Sequence, residues 1–302
     1  MRDRVLAALM LEQAGRECQA LGKAFELSDS PHEDVHSARK SIRRLRSTLA
    51  LLGRADGGII LMDSRLKAMA SGLSALRDAH VAHEFALQLR DSGIGDASRW
   101  ASLIAYCSEL RQALLKRALE DDPGFQRHRI DVGNLLVILR TSCTCHIGSS
   151  QICQAIERSE ESLVKAMHKA RRRPEASSIH RWRRKARRLK MQLQAVARLD
   201  DDARGSLHLG ERKHQRDELG RTVDILGRIQ DLYLLRNLAM AHEGKDDEAS
   251  LVRAIDAALT IQAHRFGCFS SPICLGSKKR GRLETAALPS IDVLSTTSVP
   301  QA

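Results

Sequence analysis

The chain has 302 residues, with 49 Lys and Arg against 37 Asp and Glu, for a formal net charge of +12. That is long enough to bury a core without metal or disulfide staples, and basic enough to favour an acidic partner such as nucleic acid, polyphosphate, an anionic membrane or an acidic protein. Seven scattered cysteines do not form the paired framework of a small secreted domain and fit a reducing, cytoplasmic setting, and an aromatic content of 3% argues against base stacking on Phe, Tyr or Trp.

The apolar run Val5–Leu11 is interrupted by Glu12 too early for a signal peptide. No uncharged apolar stretch approaches the roughly 20 residues of a membrane span, so no membrane partner is expected. Apolar residues recur at three- and four-residue steps among abundant Ala, Leu, Arg, Glu, Gln and Lys, which predicts an all-α protein. Predicted breaks fall at Ser28–Pro31, Gly53–Gly58, Asp91–Gly95, Asp121–Gly124, Arg173–Pro174, Asp200–Gly205 and Gly244–Asp247. From Gly267 the sequence turns to Ser, Thr, Pro and Gly around Lys278–Arg282, so 267–302 is expected to be a disordered tail behind one domain at 1–266.

The first motif, in the second predicted helix, is Val35-His-Ser-Ala-Arg-Lys-Ser-Ile-Arg-Arg-Leu-Arg46. A shorter one, Leu73-Ser-Ala-Leu-Arg-Asp78, follows it. Directly after it, His80 and His83 lie one helical turn apart with carboxylates near, the spacing of a weak metal candidate. Cys143-Thr-Cys145-His146 lacks the second pair that a zinc site needs. Neither is assigned, and no metal or cofactor is expected.

Ile179-His-Arg-Trp-Arg-Arg-Lys-Ala-Arg-Arg-Leu-Lys190 then repeats the first motif without a gap, and Leu226-Gly-Arg-Ile-Gln-Asp231 repeats the second. Two duplicated motifs in the same order divide the chain into homologous units at about 5–140 and 150–266. On a helical wheel, Arg39, Lys40, Arg43 and Arg46 fall within roughly 80° of His36, opposite Val35, Ala38, Ile42, Leu45, Leu49 and Leu52. In the second copy His180, Arg183, Arg184, Arg187 and Lys190 share a face, with Trp182, Ala186, Leu189 and Leu193 behind them, and Arg44 and Arg188 at the edges of their stripes. Like charges at these spacings destabilise a helix by a few tenths of a kcal/mol per pair. Residues 36–46 hold five Lys and Arg and no Asp or Glu; 171–190 hold ten, with Glu175 as the sole acid. One basic run is most simply a solvated face, but duplication in register, histidine included, points to an external anion with several negative groups. Arginine's planar fork suits phosphate oxygens.

These residues resemble the CHAD, or conserved histidine α-helical, domain family. The resemblance rests on Val35-His36 with Arg39 and Arg43-Arg44-Leu45-Arg46, on Ile179-His180 with Arg183 and Arg187-Arg188-Leu189-Lys190, and on the trailing Arg77-Asp78 and Leu226-Gly227 with Asp231; it covers about 5–267. It implies two homologous four-helix bundles related by a pseudo-twofold axis, with basic residues lining a groove or pore at their junction. It also implies binding of inorganic polyphosphate and association with polyphosphate granules. The implied ligand contacts are His36, Arg39, Lys40, Arg43 and Arg46 with His180, Arg183, Arg184, Arg187 and Lys190. Ser74 replaces the usual Gly of the first trailing motif, Gln230 takes the place of Arg77, and Lys190 that of Arg46. Arg77-Asp78 is expected to be an internal ion pair.

The expected function is non-catalytic. No phosphate loop, dinucleotide loop or nucleophile elbow is present. Nucleic-acid binding is the alternative, weakened by stripes that lack the amide and aromatic groups of base readout. A metal-dependent phosphohydrolase is weaker still, because neither stripe contains an acid.

Overall fold

A computed structural model describes residues 2–53, 56–141, 148–202, 212–243 and 251–268. Among these the fold is all-α, without strands: α1 (Arg2–Ala24), α2 (Pro31–Leu52), α3 (Gly57–Gly72), α4 (Ser74–Asp91), α5 (Ala97–Asp121), α6 (Gln126–Thr141), α7 (Ser149–Arg172), α8 (Ala176–Asp202), α9 (Lys213–Glu243) and α10 (Leu251–Cys268), with one 3₁₀ turn at Pro123–Phe125. The predicted breaks within these ranges coincide with helix ends. Glu33 and Asp34 lie in the first turn of α2, behind Pro31 at its start, where the helix dipole favours them. Asp56 caps α3 by accepting from Ile59 N at 3.1 Å, and Asp96 caps α5 by accepting from Ser98 N at 2.8 Å and Arg99 N at 3.0 Å. Between α4 and α5 the chain turns at Gly93 and Gly95, both in the left-handed region with φ of 73° and 79°. The break at Gly244–Asp247, most of that at Asp200–Gly205, the Cys143–His146 cluster and the tail beyond Cys268 lie outside the described residues.

The apolar faces read from the wheel are buried as expected. Val35, Ala38, Ile42, Leu45 and Leu49 of α2 and Trp182, Ala186, Leu189 and Leu193 of α8 all belong to one continuous core. That core also takes in α1, α3, α6, α7 and the first part of α9. A second core joins the far part of α4 and α5 to the far part of α9 and to α10, through Ala82, Trp100, Leu103, Leu235 and Ile255. Each core is therefore built from both sequence repeats. The two motif helices, α2 and α8, pack directly against each other. Each is also flanked by its preceding helix, α1 beside α2 and α7 beside α8. The repeat differs in one respect. Where the first half breaks the chain at Leu73 between α3 and α4, the second runs straight through in the 31-residue α9.

A basic groove at the junction of the two repeats

Burying the apolar faces of α2 and α8 in one core turns their basic stripes toward a common space. A groove of about 430 Å³ runs there, walled by Arg43, Arg46, Arg184, Lys185, Arg187 and Arg188, with Lys67 and Asp63 contributed by α3. Four of the ten residues singled out in the sequence, Arg43, Arg46, Arg184 and Arg187, thus meet across the junction. The other six are distributed around them. Arg39 and Arg183 lie one turn before Arg43 and Arg187, outside the groove lining. His36 and His180, each one turn further toward the helix start, reach solvent, as does Lys40. Lys190 packs along α9, where a methyl on Gly220 would sit 3.1 Å from its Nζ.

The arginines differ in their partners. Arg39 donates to the Ala70 carbonyl at 2.5 Å and to Ser74 Oγ at 3.1 Å. Arg183 donates to Gln230 Oε1 at 2.9 Å and lies 3.8 Å from Asp231. Arg183 packs flat on α9 at Gly227, where an added Cβ would come within 2.8 Å of Nη2. Arg46 forms a two-pronged pair with Asp63, at 2.7 and 3.2 Å. Arg44 comes within 3.9 Å of the buried Glu17. Arg77 is an internal ion pair, as expected: it binds Asp78 at 2.9 Å and also reaches Asp231 in the other repeat at 3.4 Å. The side chain of Arg77 is only 12% exposed, so this tie between repeats is screened little by water.

Sequence inspection found no acid to offset the stripes because it looked along one helix. Asp63, Asp231 and Glu17 supply that compensation from α3, α9 and α1. Arg43 and Arg187 do not share in it. Neither side chain has a hydrogen-bond or ion-pair partner among the described residues, and Arg43 Nε is buried without one. Burial, then Arg39, Arg77, Arg183 and Arg44, push Arg43 down to about 10. Burial, then Arg183, Arg43 and Arg77, push Arg187 down to about 9, with Asp231 acting against them. Charge thus acts across the junction in both directions, from Arg183 on Arg43 and from Arg43 on Arg187. Burial holds His36 and His180 below the ordinary histidine value; Arg43 adds to this at His36, while Arg184, Arg183 and Arg187 add to it at His180.

Sequence reasoning missed Lys67 and Lys185 as groove residues. Lys67 has no counterpart in a motif, and Lys185 lies on the wheel beyond the stripe edge marked by Arg188. The two histidines one turn apart on α4 are held by different carboxylates, His80 by Glu33 at 3.2 Å and His83 by Glu84 at 3.0 Å. No group of three or more His, Cys, Asp or Glu side chains among the described residues is placed to hold a metal ion. No helix among them is long and apolar enough to cross a membrane.

The family profile described as CHAD domain matches residues 10–240. The fold is similar to the crystal structure of the CHAD domain from the plant Ricinus communis, with a TM-score of 0.57 and 20% identity over 90% of this chain and 89% of that one. It is also similar to PptA from Streptomyces chartreusis, with a TM-score of 0.62 and 15% identity over 87% of this chain and 95% of that one. No curated protein sequence matches the chain.

Proposed function

This chain belongs to the CHAD domain family, and from that premise we propose that its junction groove binds inorganic polyphosphate without catalysing a reaction. The observation that carries this reading is the Arg43–Arg187 pair. Two half-buried guanidiniums, one from each repeat, point into one groove without a hydrogen-bonded or ion-paired carboxylate among the described residues; Asp63 in the wall is bonded to Arg46, and Asp231 only partly offsets the burial of Arg187. An arrangement of this kind opposes folding unless an anion completes it. Guanidinium forks match tetrahedral phosphate oxygens, and the groove extends along two helices, so it suits a chain of phosphates better than a single one. The lining holds arginine, lysine, serine, methionine and aliphatic side chains with the one carboxylate of Asp63, and offers no aromatic or amide group for reading bases.

Titration with long-chain polyphosphate and with duplex DNA at equal phosphate concentration, in stepped salt, tests this reading. Polyphosphate should bind more tightly at every salt concentration, with affinity falling steeply as salt rises through counterion release. Duplex binding of equal or greater strength would sink it in favour of a nucleic-acid protein. Phosphate release from polyphosphate, with and without added divalent metal, should stay at the uncatalysed level. A cytoplasmic location in contact with polyphosphate granules follows from the same proposal and is checked by imaging a tagged full-length chain.

A further inference from the structure

The repeats are similar in their stripes and opposite in charge at the ends where those stripes begin. The turn from α7 into α8 carries Arg171, Arg172 and Arg173, all exposed, with Lys169 just before them and Arg181 one turn into α8. None of these five side chains has an ion-pair partner among the described residues. The equivalent turn from α1 into α2 carries Glu26, Asp29, Glu33 and Asp34, with Lys23 in the last turn of α1 as its one base, whereas the α7–α8 turn has Glu175 as its one acid. Under the 144-residue offset that aligns His36 with His180, Arg171 replaces Leu27, Arg172 replaces Ser28, Arg173 replaces Asp29 and Arg181 replaces Ser37.

The extra charge is connected to the groove. Arg181, Arg184, Lys185 and Arg188 fall on one side of α8 at three- and four-residue steps, and the last three line the groove. The corresponding row on α2 is Ser37, Lys40, Ser41 and Arg44, and Ser41 is buried. Burial, then Arg188, Arg184 and Arg181, hold Lys185 below the ordinary lysine value, so the row acts as one field. From Arg187 back to Arg181 is about 9 Å along the helix, and to its first turn about 16 Å, at 1.5 Å per residue. In the first repeat, Asp34 is fixed to Ser28 N at 2.6 Å and Glu33 to His80, so the acids there are held in place.

We propose that the exposed bases of the α7–α8 turn, with Arg181, form a second binding surface for the part of a phosphate chain that overhangs the groove, so that the overhang leaves over the second repeat and not the first. This rests on the groove being the polyphosphate site. A chain leaving over the first repeat would meet carboxylates and one leaving over the second would meet guanidiniums, and like charge opposes the first path while counterion release favours the second.

The test compares full-length wild type, the fourfold variant Arg171→Gln, Arg172→Gln, Arg173→Gln, Arg181→Gln, and Arg187→Met, each titrated with long-chain polyphosphate, tripolyphosphate and duplex DNA in stepped salt. All four substituted residues are exposed, so melting temperatures should match wild type. The fourfold variant should bind long chains about tenfold more weakly, with a salt slope shallower by about two to three, and should bind tripolyphosphate as wild type does. Unchanged long-chain binding in this variant, with Arg187→Met still weakened, overturns the overhang surface and leaves the groove intact. Equal loss for short and long chains also overturns it, because the bases would then act on the groove itself. Weakening of duplex DNA alone assigns the patch to nucleic acid. If the fourfold variant weakens long chains while Arg187→Met does not, the groove is not the site, and that failure is separate from the others.

Discussion

Replacing Arg187 by Met should make the ligand-free protein more stable and the complex weaker. Arg187 is pushed to about 9 by burial and by Arg183, Arg43 and Arg77. The gap from the ordinary arginine value, at roughly 1.4 kcal/mol per tenfold, sets an upper bound near 5 kcal/mol on the cost of holding its charge there. Water in the open groove and side-chain relaxation reduce this to about 1–2 kcal/mol. Methionine keeps the apolar stem that packs between the helices and removes the charge. For a chain of this size the melting temperature should rise by about 2–6 °C. Loss of charge-assisted hydrogen bonds to phosphate, worth about 1.5–3 kcal/mol, should weaken long-chain binding by roughly 10- to 100-fold. Scanning calorimetry without ligand and titration calorimetry with polyphosphate read the two effects on the same preparation. Arg46→Met is the control: it removes the two-pronged pair with Asp63, so it should gain no stability. A fall in melting temperature for Arg187→Met with unaltered binding would refute the reasoning, because Arg187 would then be structural.

Arg77→Ala should have the opposite sign, lowering stability by about 1–3 kcal/mol, because it leaves the largely buried Asp231 with only the looser contact to Arg183 and removes a tie between repeats; a melt with no loss would show the tie is idle. Gly227→Ala should barely move the melting temperature, because the roughly 1 kcal/mol of helix propensity it gains offsets the Gln230 hydrogen bond lost when the Arg183 guanidinium is pushed aside. It should nonetheless weaken polyphosphate binding several-fold by unseating that guanidinium, and unchanged affinity would show that its position is unimportant. His36 and His180 titrate below the usual value of about 6.5 in the free protein, so the unfolded chain takes up their protons first and stability falls as pH drops below that point. A bound polyanion favours the charged rings, so affinity should rise over the same window; in the double His→Gln variant both trends should flatten, and a persisting affinity trend would assign it to other groups.

The helices and the buried faces of α2 and α8 were legible because each depends on spacing along one chain segment. Val35, Ala38, Ile42, Leu45 and Leu49 lie where the wheel puts them. Partners were not legible, because they depend on which helix lies across from which. Asp63 neutralises Arg46 from α3, and no feature near Asp63 in the sequence marks it. Lys67 enters the groove by the same route. Asp231 was visible as part of the trailing motif, yet its reach to both Arg77 and Arg183 needed the packing of α4 against α9. The mixing of repeats in both cores was hidden for a related reason: duplication sets which segments are equivalent and leaves open which copy each one packs against.

The partner pattern itself gives a reason for two arginines per turn. In each repeat the first arginine of an i,i+4 pair, Arg39 or Arg183, is tied to the facing helix, and the second, Arg43 or Arg187, is left open. The ties use different chemistry, a serine hydroxyl and a carbonyl in one repeat and a glutamine beside a glycine in the other. The result is the same in both: a fixed guanidinium one turn away presses on a free one and keeps its charge poorly compensated. A ligand that neutralises the free pair relieves that repulsion without reorganising the tied pair, so little of its binding energy goes into ordering side chains. Removing a tie should therefore cost affinity even where the tied residue never touches phosphate, which is the outcome that Gly227→Ala reads for Arg183.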